Sequence, residues 1–199
     1  CSGLFSHRIL DFIPESRKLM QNEIKEVLVH FPRKTVKLTF KQSFFAMDHY
    51  KLDNMAAELA KHAGAEILLN YKIDDIPKGF DRIIGCDGPN SALRKNLNLP
   101  DPQFFLSIQG FLEKKDDSHC VETWATDSGF IWKIPRGETI EYGIMEDFKK
   151  AKKYFDKFLK EKNIYLIRQK AGIIPQALKP IIPKNSEITL CGDATGLTK

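Results

Sequence analysis

Arg82-Ile-Ile-Gly-Cys-Asp-Gly-Pro-Asn-Ser-Ala-Leu-Arg94 is the stretch from which the rest of the chain is read. Ile83 and Ile84 make a short apolar strand, and Gly85 and Gly88 permit backbone angles that a side chain would forbid. Ser91 is placed to cap a helix whose first turn is Ala92, Leu93 and Arg94. A strand thus runs through a tight glycine loop carrying Asp87 into a helix start. In an open parallel sheet ligands collect at the carboxyl ends of strands, and free N–H groups at a helix start favour a phosphate there. On its own, a strand followed by Asp-Gly is usually a plain turn. Ile188-Thr-Leu-Cys-Gly-Asp-Ala-Thr-Gly-Leu197 repeats the layout at the far end, as an apolar strand, Gly192-Asp193 and a small-residue turn through Ala194. The pair, in this order, is more specific than either stretch alone.

Working outward, residues 26–31 and 35–40 alternate apolar and polar side chains around Phe31-Pro-Arg-Lys34, which predicts a β-hairpin. Residues 44–47 add a short strand. Asp48 caps a helix running to about His62, with Leu52, Met55, Ala56, Leu59, Ala60 and Ala63 on one face and Gly64 at its end. Residues 66–69 read as the next strand. Leu99-Pro-Asp-Pro102 is a break. After it, residues 103–113, 121–126, 130–135 and 138–144 read as an antiparallel sheet rich in large rings: Trp124, Phe130, Trp132 and Tyr142. Those rings suit either a plain hydrophobic sheet face or the wall of an apolar pocket. Residues 148–162 form a helix with Phe148, Ala151, Phe155, Phe158 and Leu159 on one face and lysines on the other. That lysine face is a solvated side or a contact with an anionic membrane. A strand at 168–175 and a proline-marked return complete the chain. The expected organisation is 1–100, then 101–170, then 171–199 returning to the first domain.

Lys and Arg number 31 against 26 Asp and Glu, a formal net charge of +5. This mild excess suits an anionic cofactor or membrane face, and no helix-turn-helix or zinc pattern argues for nucleic acid. Cys1, Cys86, Cys120 and Cys191 lack metal spacing and fit a reducing cytoplasm. Cys86 and Cys191, each following a strand, read as small buried packing residues. His7, His30, His62 and His119 are scattered and predict no metal site. Cys1-Ser-Gly begins without a charged region or apolar run, so no secretory leader is expected.

Residues 81–94 resemble the second flavin fingerprint of the FAD-dependent hydroxylase-like superfamily, an Asp-Gly motif ending in Ser-x-x-Arg. Residues 190–196 resemble its Gly-Asp motif. Within that superfamily, the chain resembles the geranylgeranyl reductase family. Cys1-Ser-Gly-Leu-Phe-Ser6 resembles its cysteine-glycine loop, and Phe130-Ile-Trp-Lys-Ile-Pro135 with Tyr142-Gly143 its aromatic-x-Trp-x-aromatic-Pro motif. Gly172-Ile-Ile-Pro175 and Thr195-Gly-Leu-Thr-Lys199 resemble the run around its final flavin motif. The Gly-x-Gly-x-x-Gly unit that cradles the ADP half of FAD is not in the chain, so an internal piece of a longer protein is expected. An arginine that often follows the position of Asp48 in that superfamily is His49 here.

The resemblance implies an α/β fold, α+β overall: an incomplete FAD-binding Rossmann-like three-layer domain plus an antiparallel β-sheet substrate domain. It implies FAD held by Gly85, Asp87, Gly88, Ser91, Arg94, Gly192, Asp193 and Ala194, with Asp193 on a ribityl hydroxyl. It implies Cys1 as a proton donor, against the plainer reading of a loop cysteine without chemistry. Phe130, Trp132, Pro135 and Tyr142 would line the channel for an isoprenoid lipid, whose C=C bonds are reduced. The electron donor is open between NAD(P)H and ferredoxin, and the location is cytoplasmic or peripheral at a membrane. Two other readings stand beside it: an oxygen-activating flavin hydroxylase or halogenase, and a non-catalytic fragment.

Overall fold

The structure, a computed structural model, describes residues 2–184 and 186–198. Its strands are β1 (Leu4–Ser6), β2 (Met20–Phe31), β3 (Lys34–Met47), β4 (Ile83–Gly85), β5 (Gln103–Leu112), β6 (Cys120–Ala125), β7 (Phe130–Pro135), β8 (Ile140–Glu146), β9 (Ile167–Gln176) and β10 (Ile188–Leu190). Its helices are α1 (Ile9–Phe12), α2 (His49–His62), α3 (Ala92–Asn96) and α4 (Ala151–Glu161), with 3-10 turns at Pro14–Leu19 and Gly192–Thr195. The fold is mixed α/β. Two compact units divide it: Cys1–Ile67 with Ile108–Lys170, and Leu68–Ser107 with Ala171–Lys199.

The first unit is built on an eight-stranded sheet in the order β1-β3-β2-β6-β7-β8-β5-β9. The expected hairpin is longer than the sequence suggested, because the alternation continues past Phe40 and the strand expected at 44–47 is the end of β3. Register shifts between Met20 and Asn22 and between Ile24 and Glu26 absorb the irregularity. The hairpin joins the aromatic-rich strands through a parallel ladder of β2 on β6, with Val27 opposite Val121. The aromatic-rich strands pair antiparallel as expected, β6 with β7 and β7 with β8, while the parallel ladder to β2 makes the sheet as a whole mixed, and residues 26–40 group with 108–170.

Strand alternation divides the rings between two faces. Trp132 lies opposite Gly143, and Lys133 opposite Tyr142. One face carries Trp132, Ile134, Val121, Ile24 and Ala46 as a buried cluster. The other meets α4, where Phe158 contacts Trp124 at 4.8 Å and Tyr142 at 6.4 Å between ring centroids. Ala151, Phe155 and Leu159, spaced by four, are the buried stripe of α4. Phe148, expected on that stripe, precedes the helix and is exposed.

Asp48 caps α2, its Oδ1 accepting from Lys51 N at 3.3 Å, and Gly64 at φ +93° ends it. Of the apolar stripe expected on α2, only Leu52 is buried.

The second unit holds the two-stranded parallel sheet of β10 and β4. Leu93, Ile188, Leu190 and Ala194 form its core, with Ile76, Ile83, Leu97 and Leu99 packed against them. Residues 66–69 form no strand; no described strand pairs with them, and without a ladder an apolar run stays irregular. Cys86 is exposed rather than a buried packing residue, while Cys191 is half-buried.

A Cβ at Gly143 would overlap the Trp132 ring and lie 2.9 Å from the Ile108 carbonyl oxygen. Neither a clamped indole nor a sheet backbone yields easily. Gly143→Ala is expected to cost about 1–3 kcal/mol through overpacking, read as a lower urea midpoint at unchanged slope.

Candidate functional site

The two acidic turns follow strands that are hydrogen-bonded neighbours. Ile83 pairs with Ile188 and Gly85 with Leu190 in parallel register, and Cys191 N donates to Gly85 O at 2.9 Å. The turn after β4 and the turn after β10 thus leave the same sheet edge, at carboxyl ends, side by side. Gly88 at φ +78° and Gly192 at φ +57° take left-handed backbone. No atom lies within 4 Å of where a Cβ would stand on either, so both turns offer open backbone to a ligand.

The turn after β4 is tied by its own side chains. Ser91 is fully buried, and its Oγ accepts from Arg94 N at 2.9 Å. Asp87 Oδ2 accepts from Leu93 N at 3.1 Å. Burial pushes the Asp87 carboxyl up, but hydrogen bonds from the Ser91 hydroxyl and backbone N–H groups outweigh it and hold the group below the usual aspartate range.

Arg94 joins the two turns. Its side chain is fully buried and donates from Nη1 to Ala194 O at 3.0 Å and from Nη2 to Pro89 O at 2.6 Å. Nε and Nη2 both reach Asp101 Oδ1, at 3.1 and 2.7 Å. The guanidinium is thus spent inside the protein. Asp193 is different: its half-buried side chain takes no hydrogen bond from any described residue.

The first unit contains a cavity of about 560 Å³. Arg136, 6% exposed, organises its floor. Its Nε and Nη2 bind Glu141 Oε2 at 2.9 and 2.7 Å, and Nη1 binds Gln21 Oε1 at 2.6 Å and Met47 O at 3.0 Å. Nη2 also donates to Ser2 O. Glu141 in turn accepts from Trp132 Nε1 at 2.9 Å. The loop at Ser2 and Gly3, the end of β3 and the Trp132 strand therefore hang on one ion pair. Gly3 is required there: it has φ +64°, and a Cβ would overlap the Met47 carbonyl. His49 also lines the cavity, its Nδ1 3.0 Å from Asp53 Oδ2.

Gly85, Asp87, Gly88, Ser91, Arg94, Gly192, Asp193 and Ala194 are thus all brought to one edge of the second unit. Phe130 and Trp132 are in contact at 5.9 Å in the first unit. Tyr142 is on the opposite face of the same sheet, and Pro135, three residues along from Trp132, is fully buried. One wall made of Phe130, Trp132, Pro135 and Tyr142 does not exist, because adjacent strand positions alternate faces. Cys1 lies outside the described residues. Arg136 and Glu141 were missed in sequence; an arginine directly after the Trp-x-x-Pro run, five residues before a glutamate in an apolar strand, was the available signal.

No family model matches the chain. Among solved structures it is similar to a geranylgeranyl bacteriochlorophyll reductase-like protein from Thermoplasma acidophilum, with TM-score 0.81 and 20% identity over 99% of this chain and 62% of that one. It is also similar to a flavin-dependent halogenase from Xanthomonas campestris, with TM-score 0.73 and 10% identity over 98% of this chain and 58% of that one. A tryptophan 6-halogenase from Streptomyces toxytricini gives 0.69 and 12%, over 100% and 59%. The chain spans about three-fifths of the length of each. At these identities the likeness is one of fold, and the α/β architecture expected from sequence is the one they share.

Arg94→Leu is expected to cost about 3 kcal/mol, since it strips a buried charge from three partners. Asp101→Asn costs less, because that carboxylate is half-exposed. Thermal melts of the two variants check the order. Asp87→Asn lowers the melting temperature at neutral pH. A carboxyl held below its unfolded value stabilises the fold above that value, and the contribution vanishes as pH falls through the folded one. The difference between wild type and Asp87→Asn therefore closes in acid, which melts from pH 7 to pH 3 would follow.

Proposed function

We propose that this chain is part of an FAD-dependent oxidoreductase that reduces C=C double bonds of an isoprenoid lipid. The observation that carries the flavin half is the pairing of Gly85 with Leu190, which sends the Asp87 and Asp193 turns off one edge. The fold shared with a reductase-like protein and with flavin-dependent halogenases supports it. The residues present fit the cofactor: open backbone at Gly88 and Gly192, and an unclaimed carboxylate on Asp193 suited to a ribityl hydroxyl.

FAD, when bound, supplies the hydride. The chain's residues do the rest. Asp193 accepts a hydrogen bond from the sugar chain. Arg94 and Ser91 keep the turns in place from behind, without touching the ligand. Phe130, 39% exposed beside the buried Trp132, is the ring that offers apolar contact to a lipid. Isolated alkenes are poor hydride acceptors, so a proton must arrive with the hydride; Cys1 is the proposed donor. Substrate reaches the enzyme from a membrane face, and the exposed lysines of α4 suit that approach.

The halogenase likeness favours one alternative, an oxygen-activating flavin enzyme. Asp193→Ala is expected to lose FAD, seen as a missing visible flavin band and a missing FAD-induced rise in melting temperature. At a hundredfold excess over Kd the rise corresponds to about 2.7 kcal/mol. Wild-type chain that stays colourless and unshifted is a non-catalytic fragment. If FAD binds, anaerobic turnover of a geranylgeranyl lipid by the full protein supports the reductase, and turnover only with oxygen supports the alternative.

A further inference from the structure

We propose that the cavity of the first unit is an oxyanion site for a phosphate-type group, with Gln109, Arg168 and Lys170 as its ligands. All three residues line it. Gln109 is 4% exposed, yet no described residue hydrogen-bonds its side chain. No fully buried side-chain N or O among the described residues lacks a partner, so what remains accessible of the Gln109 amide opens on the cavity. The Gln109 amide thus faces the cavity with its donors and acceptor unused by the described residues.

The charges in the same lining say which kind of ligand suits it. Arg168 and Lys170, two apart on β9, have no carboxylate within ion-pair reach among the described residues. Lys133, by contrast, is paired with Asp116 and Glu122, and Lys150 with Asp127. Arg168 instead stands 5.4 Å over the Phe111 ring, on a left-handed backbone at φ +51° that disfavours a non-glycine residue. The third cation in the lining, Arg136, is committed to Glu141. Three carboxylates also line the cavity. Glu141 is balanced by that arginine, Asp48 caps α2, and Glu138 is exposed in the turn between β7 and β8. The two β9 cations are thus outside any ion pair among the described residues, and they line the same cavity as Gln109.

A guanidinium fork, an ammonium and an amide N–H suit the oxygens of a phosphate. A purely apolar occupant would leave Gln109 unpaired and desolvate the cations. The inference uses none of the flavin-turn residues and stands without the flavoenzyme reading. Should that reading also hold, the oxyanion belongs to the polar head of the lipid.

The chain is titrated with inorganic phosphate, hexyl phosphate and hexanol at constant ionic strength, by calorimetry and by melting temperature. Both phosphates are expected to bind saturably and hexanol not. Hexyl phosphate binding more tightly than inorganic phosphate assigns a lipid head group; equal binding assigns a free phosphate or small ester, and either sustains the oxyanion site. Gln109→Leu and Lys170→Ala should each weaken binding about tenfold, or ~1.4 kcal/mol. Lys170 is exposed, so its variant folds whether or not Gln109→Leu does. Lys34→Ala, exposed at the turn between β2 and β3, should change nothing. Absence of saturable binding overturns the proposal. So does wild-type affinity in Lys170→Ala, hexanol binding as well as hexyl phosphate, or displacement of phosphate by FAD. FAD binding is followed by absorbance in the same samples: a chain that binds FAD but no phosphate loses only this inference, and the reverse loses only the flavin reading.

Discussion

One wholly buried guanidinium holds the candidate site together. Arg94 donates to a carbonyl in the turn it belongs to and to another in a turn a hundred residues away, at Ala194. The parallel ladder between β4 and β10 is only three residues long, which is little to fix two loops against each other. A planar fork with fixed donor directions supplies the missing constraint, and Asp101 supplies the charge that makes its burial tolerable. The ligand-facing groups, Asp193 and the open glycine backbones, are then free of structural duty. Their neighbours Ser91 and Arg94 carry it.

Much of this was legible in the sequence. Strand, glycine, acid and cap follow from side-chain chemistry at 83–91 and at 188–193, and Asp48 announced α2. The fold class was readable for the same reason, since short-range patterns fix elements. What was not readable is non-local. Residues 26–40 pair with β6, yet nothing in their alternation names a partner. Residues 66–69 look like a strand because they are apolar, but a ladder needs a neighbour, and none is described. Arg94 reads equally well as a phosphate ligand or as a clamp until its burial is known.

The aromatic motif teaches parity. Trp132 and Tyr142 were grouped because both are large rings in adjacent strands. With Trp132 opposite Gly143, the one-residue offset of Tyr142 puts it against α4. The same register explains Gly143 itself, whose missing side chain makes room for the indole. The sequence pair Tyr-Gly therefore encodes two separate packing tasks on two sides of a sheet. In the cavity, by contrast, sequence gave little warning: Gln109 is an ordinary polar residue between Ile108 and Gly110, and only its burial without a partner sets it apart.

The chain has only two tryptophans, and the sheet separates them. Trp132 gives its indole N–H to Glu141, which lines the cavity, whereas Trp124 is stacked on His30 at 5.0 Å beneath α4. Two fluorophores in unlike settings, one wired to the cavity floor and one stacked on an imidazole, make the molecule its own optical gauge. Emission from Trp132 would track occupancy of one side, and emission from Trp124 the integrity of the other, with no label attached.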